Sequence, residues 1–487
     1  MSRNVFLYIR GMRNVFTCLF LFPVVLIAQS LNFYFGNLHA HTAFSDGNKD
    51  SAVSGVHNPA GSYAYAKQSM NCDFLGISEH NHYSSNHNPG FKLGLFAPGL
   101  QMAEAATQTG KFLALFGMEY GVSSYLNGHV LVYGYNQLLG WESDVAGTTG
   151  PNYQVFNAKS DYDGLFRKIN KTPGAFCYLA HPNFTDYSVN GLETGALAQL
   201  PYNAAYDSAI VGLPLRSGLA SNGSANYVDY PQGNYFNYYK KLLYNGYHLG
   251  IGYDHDNHYT NFGRGNAGRL VVMMPSLTKQ NFFEAMRLMR FYGSDDGNAK
   301  IHYYLNGQGM GSIFSGDELP KIELKHEDPD GELADTIKVW RGSAGSGGWW
   351  AEVIHLETET NELNYTDQNL FPGREYYYFI EIRQKDGQWI MTSPIWYTGS
   401  IKMGSRTIES GLKFVCYPNP VKDKLTVSFY ADFVGQIFIY DASGKEMLHA
   451  KYKGQHFRTT LNGYTPGIYT VIARTGNLSA TQKIVIE

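Results

Sequence analysis

Short apolar segments alternate with amphipathic segments along residues 31–300. The apolar segments have the length and the β-branched and aromatic content that favour strands; they are FYFGNLHAHT, CDFLGISEH, KFLALFGMEY, GHVLVYGY, GAFCYLAHP and YHLGIGYDHDNH. The segments between them have a helical pattern; they are GSYAYAKQSMN, APGLQMAEAATQTG, YDGLFRKINKT and YFNYYKKLLYNG. Strand–helix alternation predicts parallel βα units, so an α/β fold is expected for this region.

The rest of the chain has strand patterns almost throughout. Residues 301–398 contain TIKVWRG, WWAEVIHLE, REYYYFIEIRQ and WIMTSPIWYT, and residues 414–487 contain KLTVSFY, GQIFIYDASGK, GIYTVIAR and ATQKIVIE. Each set, with turn residues between its segments, predicts a small β-sandwich domain. Residues 399–413 are polar and rich in Gly and Ser, which is typical of a linker.

The first 30 residues have the pattern of a secretory signal peptide. Arg3, Arg10 and Arg13 precede the apolar run VFTCLFLFPVVLIA, which is too short for a typical membrane-spanning helix. No later segment is apolar enough to span a bilayer, so no transmembrane segment is expected after removal of the signal.

Composition narrows the function classes. The formal net charge is −3 over 487 residues, without a basic excess, so nucleic-acid binding is not indicated. Beyond the signal, Cys72, Cys177 and Cys416 are too few and too widely spaced for a disulfide framework.

Side chains of the types that bind metal ions follow the apolar segments, where the carboxyl ends of strands are predicted. His39 and His41 are two residues apart, so both would project to the same side of an extended strand. The other candidates are Asp46, His80, Glu119, His129, His181, Asp256 and His258. Imidazole and carboxylate ligands without cysteine suit Zn²⁺, Mn²⁺ or Fe²⁺. About eight ligands exceed what one tetrahedral cation takes, so two or three divalent metal ions are expected.

Two positions stay open at this point. Asp254 has the same strand parity as Asp256 and His258, so it is a rival to Asp256 as a ligand. His82 follows His80 by two residues. We interpret it as a residue that contacts the ligands or lies on the surface, and not as a ligand itself.

The order of these motifs resembles that of a known family. HAH with SDG, ISEHN, GMEYG with GHVLVYG, AHP and DNH resemble the motifs of the PHP (polymerase and histidinol phosphatase) family of metal-dependent phosphoesterases. The resemblance covers roughly residues 33–300. It implies a distorted seven-stranded βα barrel with two or three divalent cations, followed by an immunoglobulin-like β domain at 301–398.

The resemblance also implies roles for single residues. His39 and His41 would bind one metal ion, Glu119 would bridge to a second, and Asp46 and His80 would complete that second site. His129, His181 and His258 would bind a further metal ion or phosphate. Asp256 would be another ligand of the first metal ion, the one bound by His39 and His41. Apart from the resemblance, a leaving group would need a general acid, for which His181 and His258 are the candidates, and Glu119 is the third candidate for a catalytic role. Glu79 stands where the family usually has Asp, so its role is open.

The C-terminal residues 414–487 resemble a different family. Tyr417-Pro418-Asn419-Pro420, IYDASGK, LNGYTPGIYTV and the terminal KIVIE are similar to the type A sorting domain of the type IX secretion system of Bacteroidetes. The resemblance implies export across the outer membrane, with the secretion machinery as a partner and with release or surface attachment.

Three functions are compatible with these features. The first is a secreted phosphoesterase that uses a metal-activated hydroxide on a small-molecule or surface substrate, with Arg216, Arg264 or Arg269 as a phosphate clamp. The second keeps the metal ions but hydrolyses carboxylic esters, amides or carbamates. The third is a non-catalytic surface binding protein, in which Trp349, Trp350, Trp389 and Trp396 would stack on sugars.

Overall fold

The structure is a computed structural model. It describes residues 30–69, 72–82, 94–123, 126–141, 153–189, 195–217, 233–260, 262, 268–345, 349–370, 373–399, 412, 414–476 and 478–487. The expected signal peptide (1–30) and linker (399–413) lie almost entirely outside the described residues. Among the helices that are described, none has both the length and the apolar character needed to cross a bilayer.

The first region contains the helices and most strands of the large sheet. Its strands are β1 (Asn32–Asn37), β2 (Phe74–His80), β3 (Leu113–Tyr120), β4 (His129–Tyr133), β5 (Leu139–Gly140), β6 (Val155–Phe156), β7 (Phe176–Ala180), β8 (Ile210–Pro214), β9 (Gly250–Gly252), β10 (Arg269–Met274) and β11 (Phe291–Ser294). Its α-helices are α1 (Ser51–Ser54), α2 (Pro59–Ser69), α3 (Phe96–Ala106), α4 (Tyr162–Asn170), α5 (Ala204–Ala209), α6 (Gly233–Asn245) and α7 (Lys279–Arg287), and Leu197–Gln199 form a 3₁₀ turn.

The expectation of a distorted seven-stranded βα barrel is wrong. In the described residues, hydrogen bonds order the strands of one mixed 15-stranded sheet from β14 to β9 along a path with two ends, so no closed barrel of parallel strands forms. Strands account for 45% of the structure and helices for 17%. The pairs β1–β10, β3–β4, β4–β7 and β10–β11 are antiparallel.

The reason lies in the connections. A parallel pair needs a crossover connection, usually a helix, between its strands. Only residues 121–128 separate β3 from β4, which is too short for a crossover, and the chain therefore reverses direction. The parallel pairs β1–β2, β2–β3, β7–β8 and β8–β9 do have helices in their connections.

The second region continues the large sheet and adds a smaller one. Its strands are β12 (Lys300–Leu305), β13 (Gln308–Gly309), β14 (Ile313–Gly316), β15 (Lys321–Glu327), β16 (Ala334–Ser343), β17 (Trp349–Thr358), β18 (Glu362–Thr366), β19 (Glu375–Gln384), β20 (Trp389–Thr392) and β21 (Ile395–Gly399). β12, β13, β15 and β18 form a four-stranded sheet that packs, sandwich-like, on the large sheet over a core that includes Ile322, Ile337 and Ile380. Because β20 pairs with β11, this half of the sandwich is continuous with the first region's sheet.

The third region is a separate five-stranded sheet with its own core. Its strands are β22 (Phe414–Tyr417), β23 (Lys424–Tyr440), β24 (Glu446–Thr460), β25 (Gly467–Thr475) and β26 (Leu478–Ile486). Alternate residues point inward, among them Leu425, Val427 and Phe429, which are almost fully buried.

Candidate metal centre

The candidate ligands meet at one edge of the mixed sheet. His80 is the last residue of β2, Glu119 lies near the end of β3, and His181 follows the end of β7. His129 is the first residue of β4, and β4 runs antiparallel to β3 and β7. Because β4 runs in the opposite direction, its first residue lies beside the last residues of β3 and β7. The candidate ligands therefore lie at the same edge of this mixed sheet, as they would in a parallel sheet.

The remaining ligands come from two loops, not from strands. β1 ends at Asn37, and β9 ends at Gly252, so His39, His41 and the 254–258 segment lie outside the strands. The parity argument for Asp256 therefore does not hold, and its φ of 45° confirms a non-extended backbone. The loops are tied by Asn37, whose Oδ1 accepts from the backbone N–H groups of His39 and His255 at 3.1 Å.

Glu119 is the centre of the cluster. Its carboxylate is almost fully buried, and five imidazoles approach it within 3.3 Å. The distances to its oxygens are 3.1 Å from His39, 3.3 Å from His41, 3.0 Å from His80, 2.7 Å from His129 and 3.1 Å from His181. A carboxylate with neighbours on both oxygens is suited to bridge two cations.

The other two carboxylates lie on either side of His41. Asp256 Oδ1 is 3.1 Å from His41 Nε2 and 3.2 Å from His39 Nε2. Asp46 approaches His258 at 3.0 Å, His80 at 3.5 Å and His41 at 3.9 Å. All nine candidates from the sequence thus lie in a single cluster.

Ligand-type atoms in this cluster form overlapping groups. Within each group they lie within 4.8 Å of one another; the groups are His41–Asp46–His80–His258, His39–His181–Asp256, His39–His41–Glu119 and His80–Glu119–His129. The overlap at His39, His41, His80 and Glu119 is the arrangement expected of adjacent cations that share ligands.

The polar atoms of the cluster fit bound cations better than they fit one another. In the described part of the chain, both ring nitrogens of His39, both oxygens of Asp46 and Oε2 of Glu119 are buried and form no well-aligned hydrogen bond, although imidazoles and carboxylates of the cluster lie close to them. Leaving such groups unsatisfied costs about 1–3 kcal/mol each. Divalent cations would satisfy several of them together, so the residues present fit the expected metal ions.

The pKa values show how strongly these groups are coupled. Burial favours the neutral form of Glu119, but His129, His39 and His80 outweigh it and hold its pKa well below the usual range. Burial also opposes protonation of His80, yet Glu119 raises its pKa to about 9. Burial and the neighbouring His258 and His80 lower the pKa of His41 to about 3. The cluster therefore combines ionised carboxylates with a neutral imidazole of the kind that binds metals.

Two buried carboxylates support the cluster from behind. Asp254 Oδ2 lies 3.3 Å from His39 Nδ1, on the ring edge opposite Glu119 and Asp256. This geometry makes Asp256 the member of the cluster and Asp254 its support. Glu79 accepts from the backbone N–H of Thr42 at 3.1 Å and from the hydroxyls of Thr42 and Ser45, so it holds the loop that carries Asp46. Burial raises the pKa of Glu79 to about 7.

A cavity of about 260 Å³ opens onto the cluster. Its lining residues are His80, Glu119, Ser123, His129, His181, Ser217, Tyr235, Asp256 and His258. Ser123, Ser217 and Tyr235 were not predicted from the sequence, because single hydroxyl residues, whether in loops or in a helix such as α6, form no recognisable motif. His82 is buried beside His80 but does not line the cavity.

The two candidate phosphate clamps that the structure describes, Arg216 and Arg269, are not part of this lining. Arg216 is buried and binds both oxygens of Asp295, at 2.7 and 3.0 Å. Arg269 is also buried, and donates to the carbonyl of Gly268. Arg264 lies outside the described residues. Among the described residues, the polar groups that line the cavity are therefore imidazoles, hydroxyls and the carboxylates of Glu119 and Asp256.

The tryptophans proposed for sugar stacking divide between core and surface. Trp389 and Trp396 are buried in the second region. Trp350 is 44% exposed and stacks on Tyr244 with ring centroids 5.7 Å apart. The side chain of Trp349 lies outside the described residues.

Comparison with family models identifies the third region. Residues 415–487 match the secretion system C-terminal sorting domain, in agreement with the expectation from the sequence. The protein is therefore exported by the type IX secretion system and is secreted or attached to the cell surface. The match does not extend to the metal-ligand cluster.

The solved structures that resemble this chain share little sequence with it. No curated protein matches the chain. Similar solved structures include fibronectin(III)-like modules of CbhA from Clostridium thermocellum (12% identity, 38% of this chain and 92% of that chain, TM-score 0.14). They also include the BSP domain of a biofilm-associated protein (12%, 38% and 29%, TM-score 0.14) and an alpha-L-rhamnosidase from Dictyoglumus thermophilum (11%, 38% and 28%, TM-score 0.17). At these TM-scores the likenesses carry no argument about fold or function.

Proposed function

We propose that the protein is an exported metal-dependent hydrolase, with phosphoesters as the first class of substrate to test. The observation that carries the proposal is the buried Glu119 carboxylate, which five imidazoles approach within 3.3 Å at the base of an open cavity. A structural metal site is normally closed, whereas a catalytic one keeps an accessible position. The PHP-like order of the motifs favours phosphoesters within this class.

Two or three divalent ions, Mn²⁺, Zn²⁺ or Fe²⁺, would be held by the nine clustered residues. When bound, such ions polarise an ester and activate water near neutral pH. Among the protein's own groups, Asp254 holds His39 in one orientation and Glu79 holds the Asp46 loop. His181 and His258 have side chains 22% and 11% exposed at the cavity, so whichever of the two is left out of the metal coordination would pass a proton to a leaving group.

The cavity lining bears on the substrate. The described lining contains no lysine or arginine, so a phosphate group would be neutralised by the metal ions and oriented by Ser123, Ser217 and Tyr235. The same lining accepts a carboxylic ester, which needs less positive charge. For that reason phosphoesters and carboxylic esters have to be tested together.

The test is a side-by-side assay of phosphomonoesters, phosphodiesters and aryl carboxylic esters. The full protein is stripped with chelator and reloaded separately with Mn²⁺, Zn²⁺ or Fe²⁺. We expect metal-dependent hydrolysis of a phosphoester that the His449→Gln variant retains, because His449 is exposed in the sorting domain. Hydrolysis of carboxylic esters alone would transfer the proposal to that class, and no hydrolysis with bound metal would refute it.

A second candidate is a non-catalytic surface binding protein. It is favoured by the exposed stack of Trp350 on Tyr244, with Lys241 Nζ 5.2 Å from the tyrosine ring centroid. Exposed aromatic rings of this kind stack on sugars. In a binding assay on polysaccharides, Trp350→Ala would weaken retention about tenfold if this candidate holds, whereas Trp389→Phe, in the core, would not. Equal retention of both variants would remove the support.

A further inference from the structure

A second group of carboxylates lies at the junction between the large sheet and the four-stranded sheet. Asp296 follows β11, and Asp328 and Glu332 follow β15. One oxygen from each lies within 4.8 Å of the others. Asp296 is 5% exposed, so at least one of these charges is removed from water. None of these residues belongs to the His39–His258 cluster.

The described residues give this group hydrogen bonds but no cation. Asp296 Oδ1 accepts from the backbone N–H groups of Asn298 and Ala299, at 2.6 and 2.7 Å, and Asp328 Oδ1 accepts from that of Asp330 at 2.7 Å. Among the described residues, no lysine or arginine forms an ion pair with Asp296, Asp328 or Glu332. The nearby Lys385 pairs with Asp335 at 3.5 Å and Glu359 at 2.7 Å. Burial, together with Asp386, Asp328, Asp296 and Asp330, raises the pKa of Glu332 to about 7.

A buried amide with an unused oxygen faces the same group. Gln384 is fully buried at the end of β19, and its Nε2 donates to Asp328 Oδ2 at 2.7 Å and hydrogen bonds Asp296. Its Oε1 is buried without a hydrogen-bond partner among the described residues. With a cation between the carboxylates, rotation of the amide by about 180° would exchange the two atoms: the Nε2 hydrogen bonds would be given up, and the oxygen would face the ion.

Asn298 offers a second amide oxygen. Its Nδ2 donates to Asp330 at 2.9 Å, and its Oδ1 is likewise buried without a partner in the described residues. Carboxylate and amide oxygens, without an imidazole or a thiol, form the ligand set that Ca²⁺ prefers. Mg²⁺ would require stricter octahedral geometry and would retain water.

We propose that Asp296, Asp328 and Glu332 bind a Ca²⁺ ion, with the amide oxygen of Gln384 or Asn298 as a further ligand. The ion joins the loop after β11 to the loop after β15 and to the end of β19, and so fixes the second region on the first. Export places the protein outside the cell, and extracellular modules bind Ca²⁺ with a Kd of about 10⁻⁴–10⁻³ M.

The test is calorimetric titration of the full, chelator-treated protein with Ca²⁺ alone, together with its thermal midpoint with and without Ca²⁺. We expect one Ca²⁺ per chain at this site and a rise in the midpoint. Glu332→Gln and Asp328→Asn should each weaken this binding about tenfold or more and reduce the rise, because each removes a charged ligand. Glu359→Gln is the matched control, since Glu359 is 73% exposed and pairs with Lys385 outside the group.

The two metal sites can be told apart by a third variant. Asp256→Asn alters the histidine cluster and should leave this Ca²⁺ binding unchanged. Glu332 lies on a partly exposed loop, so Glu332→Gln is expected to fold even if Asp328→Asn does not. No Ca²⁺ binding, wild-type affinity in Glu332→Gln, or loss of binding only in Asp256→Asn would each overturn the proposal.

Discussion

The two groups of metal-type side chains differ in chemistry, burial and setting. The cluster around Glu119 combines six imidazoles with three carboxylates at the base of a cavity of about 260 Å³. The group around Asp328 has oxygen atoms only and lies between loops at the junction of two sheets. Mixed nitrogen and oxygen ligands with an access route suit catalysis, whereas an all-oxygen site between loops suits stabilisation. Ligand type and access, more than the number of acidic residues, therefore separate the two proposals.

The largest expected effect is that of Glu119→Gln. The neutral amide cannot balance the surrounding imidazoles or bridge two cations, so hydrolysis should fall on the order of 10³-fold. The measurements are kcat/KM with the reloaded metal and the metal content per chain. The rise in thermal midpoint with Ca²⁺ should persist, because it arises at the other group. A variant with wild-type activity would mean that Glu119 is not the centre of the reaction.

A smaller effect is expected from Asp254→Asn. Asp254 lies 3.3 Å from His39 Nδ1 and supports that ring without belonging to the cluster around Glu119. Loss of such a supporting carboxylate typically costs about 10–100-fold in metal affinity. Titration of the stripped protein with Mn²⁺ should therefore need more metal for half activity, while activity at saturating metal changes less.

Asp335→Asn provides the matched control, because Asp335 is 38% exposed and pairs only loosely with Lys385, at 3.5 Å. Equal metal affinity in Asp254→Asn and this control would show that the buried carboxylate does not orient His39.

The smallest effect concerns the junction of the two regions. His248 contacts Asp207 of α5 at 3.0 Å and Glu375 of β19 at 3.1 Å. Burial opposes its protonation, but these carboxylates raise its pKa from 6.5 to about 9. The protonated form therefore stabilises the fold fully below pH 6.5, and this contribution is lost as the pH rises through about 9.

His248→Gln should accordingly lower the free energy of unfolding by about 1–3 kcal/mol at pH below 6.5, after discounting for its partial exposure. The difference from wild type should shrink above pH 9. Denaturant unfolding at the two pH values measures it, with His449→Gln as an exposed control. A difference independent of pH would mean that the ion pairs do not contribute. Unlike the two metal groups, this contact should not respond to added Ca²⁺ or Mn²⁺.

Local patterns in the sequence predicted several elements well. The amphipathic segments correspond to α2, α3, α4 and α6, and the apolar segments contain β1, β2, β3, β4 and β7. The sorting domain was predicted from short motifs and is confirmed for residues 415–487. These features depend on neighbouring residues and periodicity, which a sequence contains directly.

The sheet topology could not be obtained in the same way. The antiparallel direction of β4 follows from a short connection, and the pairing of β20 with β11 joins segments about 100 positions apart. The apolar runs of a parallel strand and of a buried antiparallel strand look alike, so strand–helix alternation predicted parallel βα units throughout. The closed barrel that the family resemblance implied is not formed by the hydrogen bonds.

The sequence by itself determined which side chains could bind metal ions. The nine His, Asp and Glu residues follow or begin predicted strands, and that can be read directly from the order of the residues. Only the tertiary structure decided that these nine lie together, that Asp254 supports His39 while Asp256 joins the cluster, and that Asp296, Asp328 and Gln384 meet at all. The physical reason is that ligand geometry depends on contacts between distant segments. Those contacts are fixed by strand pairing and by buried amides such as Asn37, and no local pattern of residues reports them.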